Sequence, residues 1–167
     1  MSGSDLIAPY ERSARLDLRV WLMFLVGLGF FATGTIVDPA ANCSSDGDCA
    51  PWLVPVAKWL GVAFALMGAG QLAANPRRGS RLDPVTGDLL WWQGRTGRFA
   101  NRQGRIHPTQ ISRIRIARNS DGDDSISLFD LQGNRQPWFD AEVIPWPQDR
   151  WIARFTAHWP HIVVEEA

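Results

Sequence analysis

The sequence predicts an α+β membrane protein: an N-terminal transmembrane helical hairpin, then a small antiparallel β-sheet or barrel domain capped by a C-terminal helix. Three observations carry that prediction. Two apolar runs, 20–37 and 52–74, hold a single charge between them, Lys58. Arginines crowd their outer flanks, while the segment joining them has no Lys or Arg. Beyond residue 80 the apolar period shortens to two, the repeat of a strand with one face buried, until a last stretch regains helical spacing.

The lead, 1–19, is short and mixed in charge, with Leu6, Ile7, Leu16 and Leu18 available to touch a membrane surface. The run 20–37 is uncharged, and its 18 residues give about 27 Å of helix, close to one hydrocarbon thickness. It exceeds the core of a secretory signal, about 7 to 15 residues, and runs into Asp38-Pro39 without a small-x-small cleavage pattern, so it reads as a retained anchor. In the second run Lys58 lies about 9 Å from the Trp52 end, within reach of the interface by snorkelling. Pro55 falls in the first turn, where a missing amide donor costs little.

Arg12, Arg15 and Arg19 precede the hairpin, and Arg77, Arg78 and Arg81 follow it. By the positive-inside rule both termini face the cytoplasm and the loop 38–51 faces outward, which predicts a two-pass protein of a bacterial inner membrane. That loop carries Asp38, Asp46 and Asp48 and both cysteines, Cys43 and Cys49. In an oxidising exterior they are expected to close a small disulfide loop; two free thiols are the alternative. Ala57, Gly61, Ala65, Ala69 and Ala73 recur every four residues along the second helix, and Gly27 and Gly34 stand one heptad apart on the first. Small residues let helix backbones approach closely in lipid, either within the hairpin or against another membrane protein or a second copy.

Asn-Pro-Arg-Arg-Gly-Ser at 75–80 reads as a linker, leaving 81–167 for one soluble domain. The turn formers Asp83, Pro84 and Gly87 precede a strand at 88–93; a further strand is expected within 98–106, then strands at 111–118, 125–131 and 136–139 with a turn at 131–134, the last three forming a meander. Pro147 opens a helix over 147–159 with Trp151, Ile152, Phe155 and Trp159 on one face, and Pro160 ends it. The apolar run 162–164 is placed to add an edge contact.

The segment 82–87 before the first strand, Ile111-Ser112-Arg113-Ile114-Arg115-Ile116 as central strand, the turn 131–134 and the closing helix 151–162 together resemble bacterial membrane proteins with a cytoplasmic pleckstrin-homology-like domain. The resemblance lies in layout and spans most of the chain. It implies a strongly bent sheet capped by a helix and used for binding, with seven strands where five or six are legible here.

Seventeen basic and seventeen acidic residues balance, but not evenly. Residues 79–118 hold eight Arg against two Asp, and 119–167 hold three Arg against nine acidic residues. Trp91, Trp92, Arg95, Arg98, Arg102 and Arg105 are therefore the candidate surface for anionic membrane lipids or a partner, with neutralisation by the acidic half of the same domain as the alternative. A domain without net basic charge or a nucleic-acid motif does not predict nucleic-acid binding. No catalytic residues, metal ligands or cofactors are expected. His158 and His161 are separated by helix-breaking Pro160, and the series Asn119, Asp121, Asp123, Asp130 lacks the glycine of a calcium loop. The expected function is a non-enzymatic, membrane-anchored interaction or scaffold protein binding a protein, peptide or anionic lipid. The alternative is an accessory or immunity-type subunit acting through its helices on a membrane complex or toxin.

Overall fold

The computed structural model describes residues 7–44, 47–97, 102–118 and 124–167. Leu6, Asp46, Arg98 and residues 119–123 lie outside them. The chain divides into two compact units, 13–75 and the tail from Pro76 onward joined by the N-terminal stretch that ends at Arg12.

In the first unit α1 spans Leu18–Ile36 and α2 spans Leu53–Ala74. Asp17 caps α1 through its carboxylate, which accepts the Arg19 N–H at 3.1 Å, so the helix starts two residues before the uncharged run. Asn75 stops α2 in the left-handed region at φ 46°, its N–H returning to Gln71 O. Both helices are long and apolar enough to cross a membrane.

Val20 and Gly27 of α1 and Val54, Gly61 and Gly68 of α2 are the buried positions, a spacing of seven. The backbones nearly touch. A Cβ on Gly27 would fall 2.5 Å from Ala65 N, one on Gly61 2.5 Å from Phe31 N, and one on Gly34 2.7 Å from Lys58 Cβ. Gly27, Gly34, Gly61 and Ala65 thus meet inside the hairpin. Of the rest of the four-residue stripe, Ala57 is half-buried as Ala65 is, and Ala69 and Ala73 are exposed. A four-residue step turns a helix about 400°, so each position drifts about 40° from the last, whereas the heptad stays on the seam. Gly68, against Phe24, takes the place the stripe assigned to Ala69.

The two ends of the hairpin are tied by Arg15, whose N–H donates to Asn75 Oδ1 at 3.2 Å and whose Nε donates to Leu72 O at 3.0 Å. At the opposite end Cys43 and Cys49 sit at disulfide distance, 2.03 Å between sulfurs, across an isolated antiparallel bridge. Asn42 Nδ2 donates to Ala50 O and closes the neck of that loop.

The second unit holds a four-stranded sheet in the order β1 (Tyr10–Ser13), β2 (Arg77–Leu82), β3 (Leu89–Arg95), β4 (Arg102–Ile106). A three-stranded sheet has the order β6 (Ser125–Asp130), β5 (Ile111–Ala117), β7 (Val163–Glu166), and α3 spans Gln148–His158. Pairing is antiparallel for β2–β3, β3–β4 and β5–β6, and parallel for β5–β7. Inward residues of both sheets, among them Leu89, Trp91, Ile106, Ile114, Ile116, Ile126 and Leu128, meet Trp151, Ile152 and Phe155 of α3 in one core. An aromatic file crosses it: Trp91 lies edge-on to Phe139 at 5.5 Å, and Trp151 stacks on Phe155 at 4.8 Å.

Four expectations change. Arg77–Leu82, within and just beyond the expected linker, is β2, because Gly79 admits the neighbouring strand: a Cβ there would stand 2.0 Å from Tyr10 O. The lead as far as Arg12 belongs to the tail unit, with β1 on the sheet edge and Ile7 buried in the core, and only its remainder goes with the hairpin. The stretch 136–139 is not a strand. Pro137 has no amide donor, Trp138 turns the chain at φ 62°, and Phe139 plugs the core. The third member of that sheet is instead β7, which arrives parallel after α3 where the run 162–164 is expected to add an edge contact.

Replacing Gly61 by Ala drives a methyl into the α1 backbone and is expected to lower the stability of the detergent-solubilised protein by about 1–3 kcal/mol. Gly70→Ala, where a Cβ meets nothing within 4 Å, is expected to be neutral or stabilising by up to about 1 kcal/mol. Denaturant titration followed by far-UV circular dichroism compares the two.

Candidate functional site

The outer face of the four-stranded sheet carries a groove of about 460 Å3 lined by Arg81, Leu90, Trp92, Arg95, Gln103 and Arg105. Register explains the grouping. Arg81 pairs with Leu90 and Leu90 with Arg105, one row across three strands; Gly79, Trp92 and Gln103 form the next. Adjacent strands are about 4.8 Å apart, so the Cα atoms of Arg81 and Arg105 are about 10 Å apart, and both long side chains rise from the same face. Arg95 joins them through Gly94, whose φ of 63° breaks the pleat; the guanidinium carbon sits 5.7 Å from the centroid of the Trp92 ring.

Trp92 is 7% exposed, and its indole N–H has no hydrogen-bond acceptor among the described residues. Trp91 is 1% exposed, pointing to the opposite face, where its N–H donates to Pro137 O at 2.9 Å. Neither indole therefore stands out as an exposed anchor. One fills the core, and the other forms the floor of the groove. Gly104 is required opposite Trp91, since a Cβ there would fall 2.2 Å from the ring.

Of the arginines singled out in the sequence, Arg95 and Arg105 come together. Arg102, three residues from Arg105 and hence on the other face, stacks over Trp138 at 4.8 Å. Arg98 lies outside the described residues. Arg81 was missed as a groove residue; its signal was its place one residue before the Leu82–Gly87 turn, which sets it directly across from Leu90.

The acidic residues are engaged elsewhere. Arg118 contacts Asp124, Asp149 and Glu166; its hydrogen bond to Glu166, with the charges of Asp149 and Asp124, raises its pKa. Arg113 meets Glu165, Arg77 meets Glu11, and Arg78 meets Glu142. Among the described residues no carboxylate lies within ion-pair distance of Arg81, Arg95 or Arg105. The histidines have local roles: His161 Nε2 lies 3.2 Å from Pro108 O, and His158 lies edge-on to Trp159.

Two carboxylates at turns shift oppositely. Desolvation pulls Asp130 upward, but hydrogen bonds from Asn134, Gln132 and Gly133 outweigh it and lower its pKa. Desolvation raises that of Asp140, against the N–H bonds of Glu142 and Gln93. No protein-family model, curated protein or solved structure matches this chain.

The sign of each shift gives a test. A lowered carboxylate pKa stabilises the fold above the unfolded value and loses that contribution as pH falls through the folded one; a raised pKa does the reverse. Asp130→Asn is expected to lower the Tm at pH 7, with the difference from the parent closing as the pH drops below the usual carboxylate range. Asp140→Asn is expected to leave the Tm at pH 7 unchanged or raised by a few degrees. Thermal melts at pH 7 and at about pH 2.5, below the usual carboxylate range, read both.

Proposed function

We propose that this chain is a non-enzymatic, membrane-anchored interaction protein of a bacterial inner membrane, whose helical hairpin holds a pleckstrin-homology-like recognition domain on the cytoplasmic side. The observation that carries the reading is the outer surface of α1 and α2. Only 11% and 17% of their apolar windows are buried, and Leu25, Phe30, Leu66 and Met67 point outward with large exposed areas. A core helix of a water-soluble protein would hide such residues, whereas hydrocarbon solvates them.

Connectivity supports the orientation. β1 and β2 are neighbours in one sheet, yet they lie on either side of the hairpin in sequence. A folded sheet cannot straddle a bilayer, so the chain must leave and return on the same side. The arginine-free loop with its cysteine pair then falls on the opposite, oxidising side. Four-stranded and three-stranded sheets covered by a helix fit the pleckstrin-homology-like layout; the parallel β7 after the helix departs from a layout in which the helix closes the chain. The groove offers hydrogen-bond donors without a nucleophile or a general base, which suits recognition rather than catalysis.

A second reading, an accessory or immunity-type subunit working through its helices, draws on Ala69 and Ala73, which lie exposed and leave room for another helix. Ala69→Leu with Ala73→Leu is expected to abolish co-purification of a stoichiometric membrane partner under this second reading and to leave the first untouched.

After alkaline carbonate washing the protein is expected to stay wholly in the membrane pellet, and impermeant thiol labelling after mild reduction is expected to reach Cys43 and Cys49 from the periplasmic side in intact spheroplasts. Release into the supernatant overturns the membrane reading, and labelling only after lysis overturns the orientation.

A further inference from the structure

We propose that the groove over Trp92 is a binding site for a phosphate monoester, either a small soluble ester or the headgroup of a lipid. The proposal rests on the reading of the tail as a recognition domain. Three arginines line one groove without a carboxylate within ion-pair distance among the described residues, an arrangement that like-charge repulsion disfavours unless an anion completes it. The Trp92 N–H is a second, independent sign: it is a buried donor without an acceptor among the described residues, on a residue more than nine-tenths buried that itself lines the groove. Gln103 adds an amide at the rim.

The chemistry selects the anion. A carboxylate brings one charge and two oxygens in a plane, matched by a single arginine fork. A phosphate monoester brings a charge of about −1.5 to −2 at neutral pH and three terminal oxygens, which suits several forks approaching from different strands. A space of about 460 Å3 exceeds what a bare phosphate fills, and Leu90 and the Trp92 ring offer apolar surface to the organic part of the ester. The site differs from an electrostatic skirt against a membrane, because it depends on three particular side chains and one indole rather than on summed charge.

The experiment uses the full chain in nanodiscs of neutral phosphatidylcholine, titrated calorimetrically with phenyl phosphate and, separately, with benzoate. Phenyl phosphate is expected to bind at least about tenfold more tightly than benzoate, with affinity falling as the pH drops below about 6 and the ester takes up a proton. Arg81→Gln, Arg95→Gln and Arg105→Gln are each expected to weaken it about 10- to 100-fold, and Trp92→Phe, which keeps the ring and removes the donor, several-fold. Arg102→Gln, on the opposite face, is expected to leave binding unchanged. Circular dichroism establishes that each variant is folded.

Nanodiscs containing phosphatidic acid, a monoester, or phosphatidylglycerol, a diester, separate the two sources. Loss of phenyl phosphate binding with phosphatidic acid alone identifies a lipid headgroup, and undiminished binding in both identifies a soluble ester; either supports the site. Absence of binding to both phenyl phosphate and phosphatidic acid, equal losses in Arg102→Gln and Arg105→Gln, or binding of a phosphopeptide alone overturns it. A protein that stays in the carbonate-washed membrane yet ignores phenyl phosphate loses this site and keeps the membrane reading, so the two fail separately.

Discussion

The pairing of β1 with β2 is the constraint on which the rest of the molecule depends. These strands flank the helical hairpin in sequence, and Gly79 lets Tyr10 come close enough that no side chain could fit between them. Once they pair, the chain must leave and return beside itself. Arg15 completes that closure by bonding Asn75 and Leu72 at the two ends of the hairpin. Within the hairpin itself, Gly27 lies against Gly61 and Gly34 against Lys58, so the seam of α1 and α2 rests on small residues in the same way that the β1–β2 contact rests on Gly79.

The groove shows how strand register sorts charge. Of the arginines between residues 81 and 118, the pleat sends Arg81 and Arg105 to one face and Arg102 to the other, and Gly94 alone redirects Arg95. Acidic residues near the second sheet meet Arg113 and Arg118 instead. The overall neutrality of the chain therefore conceals a groove whose arginines have no carboxylate within ion-pair distance among the described residues.

Much of this was legible in the sequence. Both apolar helices, strands β3, β5 and β6, the turn at 83–87 and the helix carrying Trp151 and Phe155 follow from hydrophobic period and turn chemistry, which are local properties. What escaped was non-local. Arg77–Leu82 reads as a linker because Arg, Gly and Ser give no alternation, and only the presence of β1 across from Gly79 makes it a strand. The lead gave no strand signal because four residues on an edge need little apolar content. Trp91 and Trp92 read as a surface pair, although strand alternation requires adjacent residues to face opposite ways, and both indoles are buried, one in the core and one at the floor of the groove. The small-residue stripe was placed by a four-residue repeat, while the packed seam follows seven.

The return of the chain to its own starting edge also bears on how the molecule can be dissected. A fragment beginning after α2 would lack β1 and Ile7, leaving β2 as an open sheet border and a gap in the core. Because Arg15 and Asn75 lie within hydrogen-bonding reach of each other, a graft of a few residues could bridge them in place of the two helices. The apolar hairpin is thus topologically an excursion between two neighbouring strands, β1 and β2, of one sheet.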